Sequence, residues 1–472
     1  MSLKVVVVGA GPGGYSGAVR ARQLGAEVTL VDKDRPGGTC LNRGCIPSKI
    51  MRRAADLLRE SSEGAPFGVS GDGVRFSLQT LRARQKQIVD GQADGLAKHF
   101  KALGITYVSG SASIKGPGLV TVAPARGGAG EAADHAYDRL LIASGSEPVS
   151  LPGMTVDGES IITSDQALWT DDLPESLLVV GGGVIGCELA QIFHQFGVKT
   201  TVVEALDRLL PLPGVDEEIS KVFMRSLKKI KLPFLTGQTV AEVRREGGEL
   251  AAVVKPFKGE GEAREIRVRK ILLSVGRKAS LGGLDLASLG VKLDARGWVE
   301  ADEYFQTAAP NVYAVGDCLG PARIMLAHAA TAEAMSAVEN MISGTKKTVD
   351  YQSVPSAVFT SPEIGCVGLS LVQAREKHPE AVAKDFLFRQ LGKAQAMGET
   401  DGVFRLVAGP DGAVLGAHII GAQAASLLGE VSLAVSKKMR AEDLASVVHA
   451  HPTLPEGIWE AALALAGRPL HG

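Results

Sequence analysis

The sequence predicts an α/β fold made of two Rossmann-like domains followed by a C-terminal α+β domain. Near the N-terminus a buried-type strand, a glycine-rich turn, a helix and a second strand ending in an acid follow one another, and the same order returns 172 residues later. The final third of the chain instead alternates short strands with two helical stretches. With 472 residues, the chain is long enough for about three domains of ordinary size.

The composition argues against several classes of protein. The 51 basic and 52 acidic residues nearly cancel, which argues against a nucleic-acid-binding surface. No apolar run reaches the roughly 18 residues of a membrane span. The N-terminus enters a strand pattern almost at once and has no signal-peptide features, so we expect a cytoplasmic protein. Five cysteines in a chain of this length do not indicate a disulfide framework.

The first Rossmann-like unit begins with a four-valine strand and the turn GAGPGG. Gly9 permits the tight turn, Gly11 lets the backbone approach a pyrophosphate, and Gly14 lets the helix pack on the strand. The N-terminus of the following helix favours phosphate charge. Asp32 ends the second strand, where it can accept a hydrogen bond from a ribose hydroxyl. This context predicts a dinucleotide-binding domain.

The segment GGTCLNRGCIPSK places Cys40 and Cys45 five residues apart. In a regular helix their Cα atoms would be separated by about 7.5 Å of rise alone, which exceeds the roughly 6.8 Å that a disulfide allows. A bridge therefore requires Cys40 to lie at an irregular helix start, which the Gly37-Gly38 pair and Pro47 would allow. Because so short a loop gains little stability from a bridge, a redox role is favoured, and the alternative is two unpaired buried thiols. The isolated cysteines are interpreted as core residues: Cys187, Cys318 and Cys366.

The chain between the two units has a long polar-rich helical pattern at 76–103 and short strands at 104–122. The stretch from Arg126 to Ala136 is rich in glycine and alanine and is predicted to be a hairpin tip. A buried-type strand at 140–143 and the sequence LPG then lead to a linker.

The second Rossmann-like unit repeats the glycine spacing with Gly181, Gly183 and Gly186, and its second strand ends at Glu204. An acid here accepts from an adenosine ribose and repels a 2′-phosphate, so NAD is favoured over NADP. No basic cluster follows, although Arg208 is near; the alternative for Glu204 is a solvated loop acid. Two such units imply two dinucleotides, and a flavin with a nicotinamide is the natural pair because they exchange a hydride.

The final third of the sequence predicts a domain that is richer in β-strands than the two Rossmann-like units. Strands are expected there at 351–359 and 403–420, and helices at 423–438 and 454–466, whereas the meander expected at 240–275 belongs to the second unit. The expected domain boundaries are 1–150 with 277–349 for the first unit, 151–276 for the second, and 350–472 for the C-terminal domain.

The segment HAHPTLPE near the C-terminus contains a candidate general base. Pro452 keeps His451 out of helical geometry, and Glu456 can hold the imidazole in one tautomer and raise its basicity. The alternative is a loop histidine that caps the next helix. His449 is interpreted as structural, and no cluster of ligands suggests a metal site.

Together these segments resemble the flavoprotein pyridine nucleotide–disulfide oxidoreductase family over essentially the whole chain. The resemblance is carried by GGTCLNRGCIPSK and HAHPTLPE, and further by ASGSEP, VGR, VYAVGD and LAH in that order. It implies that FAD lies along the first unit and NAD along the second. The implied FAD contacts are Gly9, Gly11, Gly14, Asp32, Thr39, Lys49, Ala112, Ser144, Gly145, Ser146, Asp317 and the backbone of Ala327. The implied NAD contacts are Gly181, Gly183, Gly186, Glu204, Val240 and Gly276.

The resemblance also implies a mechanism. His451 of the neighbouring subunit takes a proton from a dithiol, the thiolate attacks Cys40, and electrons pass from Cys45 through FAD to NAD⁺. Lys49, paired with Glu188, stabilises the negative charge. The implied protein is a homodimer whose C-terminal domain serves dimerisation. Its substrate is a dihydrolipoyl group on a carrier protein or free dihydrolipoamide, within a 2-oxo acid dehydrogenase or glycine cleavage complex.

Three other functions are weighed against this one. A mercuric reductase shares the first cysteine pair but typically has a C-terminal cysteine pair, and none follows Cys366 here. A glutathione-type reductase prefers NADPH, which Glu204 disfavours. A non-catalytic nucleotide-binding subunit is expected to have lost a redox residue, and both cysteines and the His–Glu pair are present.

Overall fold

The computed structural model describes residues 2–71, 73–124 and 131–471. The helices are α1 Pro12–Gln23, α2 Gly38–Arg43, α3 Cys45–Ser62, α4 Leu78–Leu103, α5 Ser164–Ala167, α6 Val184–Gln195, α7 Glu217–Lys229, α8 Ala327–Ser343, α9 Leu371–Lys377, α10 Gly392–Met397, α11 Ala424–Ser436, α12 Ala441–Ser446 and α13 Glu456–Leu465. The strands are β1 Lys4–Val8, β2 Glu27–Asp32, β3 Thr106–Gly116, β4 Leu119–Pro124, β5 Ala133–Ala136, β6 Arg139–Ile142, β7 Ser146–Pro148, β8 Ile161–Ile162, β9 Ser176–Val180, β10 Lys199–Val203, β11 Phe234–Leu235, β12 Gln238–Glu246, β13 Glu249–Pro256, β14 Arg264–Val268, β15 Lys270–Leu273, β16 Arg277–Ala279, β17 Val312–Ala314, β18 Ser356–Val358, β19 Glu363–Gly368, β20 Val382–Leu387, β21 Val403–Ala408 and β22 Val414–Gly421.

The N-terminal unit is built on a seven-stranded sheet in the order β17-β6-β1-β2-β3-β4-β5. Its first five strands are parallel, while β4 and β5 continue it as antiparallel neighbours. The four valines of β1 are all buried, as expected for a parallel strand covered on both faces. Strand β17 comes from a distant part of the sequence, so the chain leaves this unit and later returns to it.

The second unit has a parallel sheet in the order β11-β10-β9-β15-β8. The meander expected at 240–275 is present as the antiparallel sheet β12-β13-β14. Strand β15 follows it and pairs in parallel with β9. Strand β7 precedes the second unit in sequence and β16 follows it, and the two strands pair with each other in antiparallel fashion.

The C-terminal domain is an antiparallel sheet in the order β18-β19-β22-β21-β20, with helices α9 to α13 around it. The strand expected over 351–359 is wrong for its first residues. Tyr351–Ser353 form a 3-10 turn because the Asp350 carboxylate accepts from the Gln352 amide at 3.1 Å, and only Ser356–Val358 pair as a strand. Of the hairpin tip expected at 126–136, residues 126–130 lie outside the described residues. Ala133–Ala136 do not belong to a tip but form strand β5, which pairs with β4.

Two negative findings apply to the described ranges alone. No helix in them is long and apolar enough to cross a membrane. No group of three His, Cys, Asp or Glu side chains in them could hold a metal ion.

Candidate active site

The first glycine turn combines tight packing with one open position. Gly9 has φ +104°, and a Cβ there would lie 2.2 Å from the Ala143 carbonyl oxygen. A Cβ on Gly14 would lie 1.6 Å from the Gly9 carbonyl oxygen. At Gly11 the nearest atom would be the Gly38 Cα at 3.8 Å. Packing therefore requires glycine at the first and third positions, whereas the second leaves the space that a pyrophosphate would need.

Asp32 lies at the end of β2, above this turn. Its carboxylate accepts hydrogen bonds from the Ala10 amide at 2.5 Å and the Asp34 amide at 2.8 Å. Burial raises the pKa of Asp32, and the two amides offset only part of that effect. Additional donors, such as ribose hydroxyls, would further stabilise the charged carboxylate.

A cavity beside Asp32 brings several of the expected FAD contacts together. Gly9, Asp32, Ala112 and Ser144 all line it. The Ser144 hydroxyl is buried and has no hydrogen-bond partner among the described residues. An unpaired buried hydroxyl is costly unless a ligand satisfies it. These features fit the adenosine end of FAD.

Four further expected FAD contacts lie in or next to β7, β17 and α8, at Gly145, Ser146, Asp317 and Ala327. Gly145 has φ +72°, and Ser146 donates through its hydroxyl to Asp317 at 2.6 Å. Arg277 donates to the Ser146 hydroxyl at 2.6 Å, so the chain after the second unit is bound to this loop. Ala327 is the first residue of α8, whose N-terminus has no side-chain cap. Its free backbone amides can receive a polar ligand.

The second glycine turn repeats the first in detail. Gly181 has φ +105°, and a Cβ there would lie 2.4 Å from the Ser274 carbonyl oxygen. A Cβ on Gly186 would lie 2.0 Å from the Gly181 carbonyl oxygen. A Cβ on Gly183, whose φ is −74°, would meet nothing within 4 Å. The middle glycine is again the one that packing does not require.

This contrast predicts opposite effects for two alanine substitutions. If the second turn receives NAD⁺ as the sequence predicts, Gly183→Ala is expected to leave the melting temperature nearly unchanged and to raise KM for NAD⁺ about tenfold, because its methyl group would enter the space expected for the pyrophosphate. Gly186→Ala is expected to lower the free energy of unfolding by about 3 kcal/mol, because its methyl group collides with backbone. Thermal unfolding and steady-state kinetics of both variants check this. An unchanged KM in Gly183→Ala would contradict it.

Glu204 holds the same position in the second unit that Asp32 holds in the first. Its carboxylate accepts from the Gly182 amide at 2.6 Å and the Leu206 amide at 2.8 Å, the equivalents of the two amides bound by Asp32. The nearby Arg208 donates instead to carbonyls of its own loop, at Leu210, Leu212 and Val215. The guanidinium of Arg208 thus makes three hydrogen bonds within its own loop.

The two remaining expected NAD contacts are Val240 and Gly276, and they differ in burial and backbone conformation. The side chain of Val240 is buried in the core with Val180 and Val203. Gly276 follows β15, has φ +127°, and accepts from the Val149 amide at 3.2 Å. A contact of Val240 or Gly276 with NAD stays a prediction.

The cysteine segment forms two helices rather than one. Cys40 lies inside α2, and Cys45 begins α3. The break lies between them at Gly44, with φ −143° and ψ −110°. Cys40 lies in the first turn of α2, directly after Gly37 and Gly38 with φ +102° and +57°, which agrees with the expected irregular helix start. The break at Gly44 is a second irregularity that was not expected. The break at Gly44 interrupts the helix between the two cysteines, and each thiol strongly influences the pKa of the other.

The two thiols have opposite acidities. The hydrogen bond from Cys40 lowers the pKa of Cys45 to about 7, and Lys49 contributes in the same direction. The same hydrogen bond, with burial, strongly raises the pKa of Cys40. Above pH of about 7 the pair therefore carries its proton on Cys40 and its negative charge on Cys45.

Lys49 lies one turn after Cys45 on α3 and is paired with an acid from the second unit. Its Nζ is 2.9 Å from Glu188 Oε2, and the Glu188 side chain is only 8% exposed. The other carboxylate oxygen, Oε1, accepts from the Phe359 amide at 2.9 Å. Residues of both Rossmann-like units and of the C-terminal domain thus meet beside the thiolate.

His451 and Glu456 form the expected pair at the surface of the C-terminal domain. The imidazole Nδ1 is 2.8 Å from Glu456 Oε1, and the His451 side chain is 76% exposed. Burial acts to raise the pKa of Glu456, but the Thr453 amide and His451 outweigh it, so the pKa is lowered. The His451–Pro452 peptide bond is cis. Within the described part of this chain, no hydrogen bond joins His451 to either cysteine.

Sequence reasoning missed two residues that shape the cysteine segment. Asn42 is buried, and its amide donates to the Pro36 and Gly38 carbonyls at 3.1 and 3.0 Å. The backbone carbonyl of Asn42 accepts a hydrogen bond from the Trp169 indole at 2.8 Å. Only Asn42 could have been found from the sequence, because a polar residue between two cysteines indicates a structural role. Trp169 is remote from the cysteines in sequence, so no local pattern links it to them.

Comparison with known proteins places the chain among enzymes of one kind. A family model described as pyridine nucleotide-disulphide oxidoreductase matches residues 3–334, and the dimerisation domain of that family matches residues 354–462. The dihydrolipoyl dehydrogenase of Bacillus subtilis is 37% identical, covering 99% of this chain and 98% of that protein. The dihydrolipoyl dehydrogenase of Haloferax volcanii is 37% identical, with 99% and 97% covered. The solved structure of LpdA from Mycobacterium tuberculosis superposes with a TM-score of 0.89 at 26% identity, over 98% of this chain and 99% of that one.

Proposed function

The chain belongs to the pyridine nucleotide-disulphide oxidoreductase family, and from this premise we propose that it is a dihydrolipoyl dehydrogenase that uses FAD and NAD⁺. The observation that supports this best is the cysteine pair with opposite acidities beside the Lys49–Glu188 ion pair. The full-length similarity to dihydrolipoyl dehydrogenases identifies the substrate class.

The proposal assigns one cofactor to each Rossmann-like unit. Residues 1–150 and 277–349 hold FAD, 151–276 hold NAD, and 350–472 form the dimer interface. The glycine turns receive the pyrophosphates, and Asp32 and Glu204 receive the adenosine riboses. The bound FAD would supply the two-electron chemistry that links the thiolate of Cys45 to hydride transfer to the nicotinamide.

The protein's own groups carry out the sulfur chemistry. His451, oriented by Glu456, takes the proton from a substrate thiol, and the resulting thiolate attacks Sγ of Cys40 in the oxidised Cys40–Cys45 pair. The Cys40–Cys45 bond breaks, and its electron pair stays on Cys45 as a thiolate. The second substrate thiol then displaces Cys40 and gives its proton to the leaving Cys40 sulfur. The substrate thus leaves as a cyclic disulfide, Cys40 becomes a thiol, and the first proton stays on His451. Lys49 stabilises the charge on Cys45.

The protein is proposed to act as a homodimer because the base and the cysteines do not meet within one chain. The dimerisation domain that carries His451 also exposes apolar side chains, among them Val448 at 95% and Leu433 at 55%. An apolar surface of this kind is typical of a subunit interface. A second copy packed there would bring its His451 toward the Cys40 of the first.

The nicotinamide preference is a direct test of the Glu204 assignment. We expect kcat/KM for NAD⁺ to exceed that for NADP⁺ by about 100-fold, because a 2′-phosphate beside a buried carboxylate is repelled. A steady-state panel of dihydrolipoamide, glutathione and mercuric ion, each with both nicotinamides, checks this and the substrate together. Equal use of both nicotinamides, or a preference for glutathione, would overturn the respective assignment.

The proposal extends to the cellular setting. The natural substrate is a dihydrolipoyl group on a carrier protein, and the protein serves a cytoplasmic 2-oxo acid dehydrogenase or glycine cleavage complex. Co-purification of this chain with a lipoylated protein would support this assignment, and reaction with free dihydrolipoamide alone would count against it.

A further inference from the structure

A loop of the C-terminal domain contacts the Lys49–Glu188 ion pair from outside both Rossmann-like units. The loop, residues 359–361, lies between β18 and β19 and is called the tether below. The Phe359 amide donates to Glu188 Oε1 at 2.9 Å, and the Phe359 ring centroid lies 4.1 Å from Lys49 Nζ. A cation is attracted to an aromatic face at this distance. The tether thus contacts both members of the ion pair.

Gln191 fixes the other end of the tether. Its side chain is fully buried on α6, three residues after Glu188 and hence on the same face of the helix. Its Nε2 donates to the Ser361 carbonyl at 2.8 Å, and its Oε1 accepts from the Ser361 amide at 2.7 Å. A buried amide satisfied at both ends on one residue defines the position of that residue closely.

We propose that Gln191 is a positioning residue of the redox site: by holding the tether, it keeps the Phe359 amide on Glu188 and the Phe359 ring on Lys49, and so fixes the ion pair beside Cys45. This inference rests on the proposed dithiol chemistry. If Gln191 has this role, the C-terminal domain influences the charges around the Cys45 sulfur of the same subunit.

The charges around this site show why the tether matters. Glu188 opposes the thiolate and Lys49 favours it, so their balance determines the acidity of the pair. Other charged groups face the site from α3, at Arg52 and Asp56, and from β19, at Glu363. Without the Phe359 amide, one oxygen of a buried carboxylate loses its donor, and the uncompensated charge acts against the thiolate.

The test is a pH titration of the thiolate in the dithiol form of the FAD-loaded protein. Ultraviolet thiolate absorbance is measured for wild type, Gln191→Leu and Phe359→Leu, and each is corrected with the same protein carrying Cys45→Ser. Both variants are expected to move the first titration step of the cysteine pair upward by about one pH unit. Phe359→Leu retains the backbone amide and removes only the ring, so it provides a second measurement if Gln191→Leu folds poorly.

The matched control is Ser220→Ala. Ser220 is a buried polar residue of the same unit, and its hydroxyl donates to the Leu209 carbonyl at 2.6 Å without touching the tether. Ser220→Ala is expected to titrate as wild type. The proposal would be overturned by wild-type titration in both tether variants, or by an equal shift in Ser220→Ala. Failure of the proposed function would appear differently, as a lack of dihydrolipoamide oxidation by the wild-type protein.

Discussion

We expect Cys45→Ser to lower dithiol-dependent NAD⁺ reduction by roughly 10³-fold or more while FAD stays bound. The reason is that serine cannot form the disulfide with Cys40 or carry the negative charge that Lys49 stabilises at this position. Neither the first glycine turn nor Asp32 depends on this sulfur, so the flavin site is expected to survive. Steady-state assays with dihydrolipoamide and the visible flavin spectrum of the purified variant measure both outcomes.

The control for this substitution is Cys366→Ala. Cys366 is buried in the C-terminal sheet, where burial raises its pKa to about 12, so its thiol is unreactive. Its removal is expected to leave turnover within a few-fold of wild type. Turnover by Cys45→Ser comparable to that of Cys366→Ala would show that the pair does not carry the electrons.

The second large effect is expected for His451→Gln. Glutamine preserves a polar side chain but cannot act as a base, so the reaction with dihydrolipoamide should slow by about 10²–10⁴-fold. Exchange of hydride between NADH and a nicotinamide analogue needs no base for a thiol, and its rate should change little. Both rates, that of the reaction with dihydrolipoamide and that of hydride exchange, are measured on one preparation of the variant. A decrease in the first rate alone indicates loss of the base, whereas a decrease in both indicates a disturbed structure.

His449→Gln is the matched control, because this histidine is two residues away and serves a different contact. Its Nε2 is 2.9 Å from Glu430, and its ring lies near Trp459. We expect a modest loss of stability and little change in the ratio of the two rates. An equal decrease in both reactions of His451→Gln would remove its role as the base.

The sequence predicts those features that depend on a short stretch of chain. A strand, a glycine turn and a helix are local, so the repeat at an offset of 172 residues predicts both Rossmann-like units. The structure extends the repeat to hydrogen bonds, since Asp32 and Glu204 accept from equivalent amides. The acid at the strand end and the third glycine are set by the same local geometry.

Features that join remote segments could not be predicted in this way. Gln191 and Ser361 are 170 residues apart, and nothing in either local pattern indicates that they bind each other. The break at Gly44 was missed, because the spacing of the two cysteines shows that the helix must be irregular but not that it is interrupted at this residue. The 3-10 turn before β18 was missed because its Asp350 cap competes with a strand pattern.

The most direct test of the central claim is a thiol count on the unfolded protein before and after one equivalent of dihydrolipoamide, with the cysteines identified by peptide mass. Of the five cysteines, three are buried and lie apart from the pair: Cys187, Cys318 and Cys366. The account predicts only these three as thiols in the active oxidised enzyme, and all five after reduction, with Cys40 and Cys45 as the two that appear. An active oxidised enzyme in which Cys40 and Cys45 are already free thiols would contradict it.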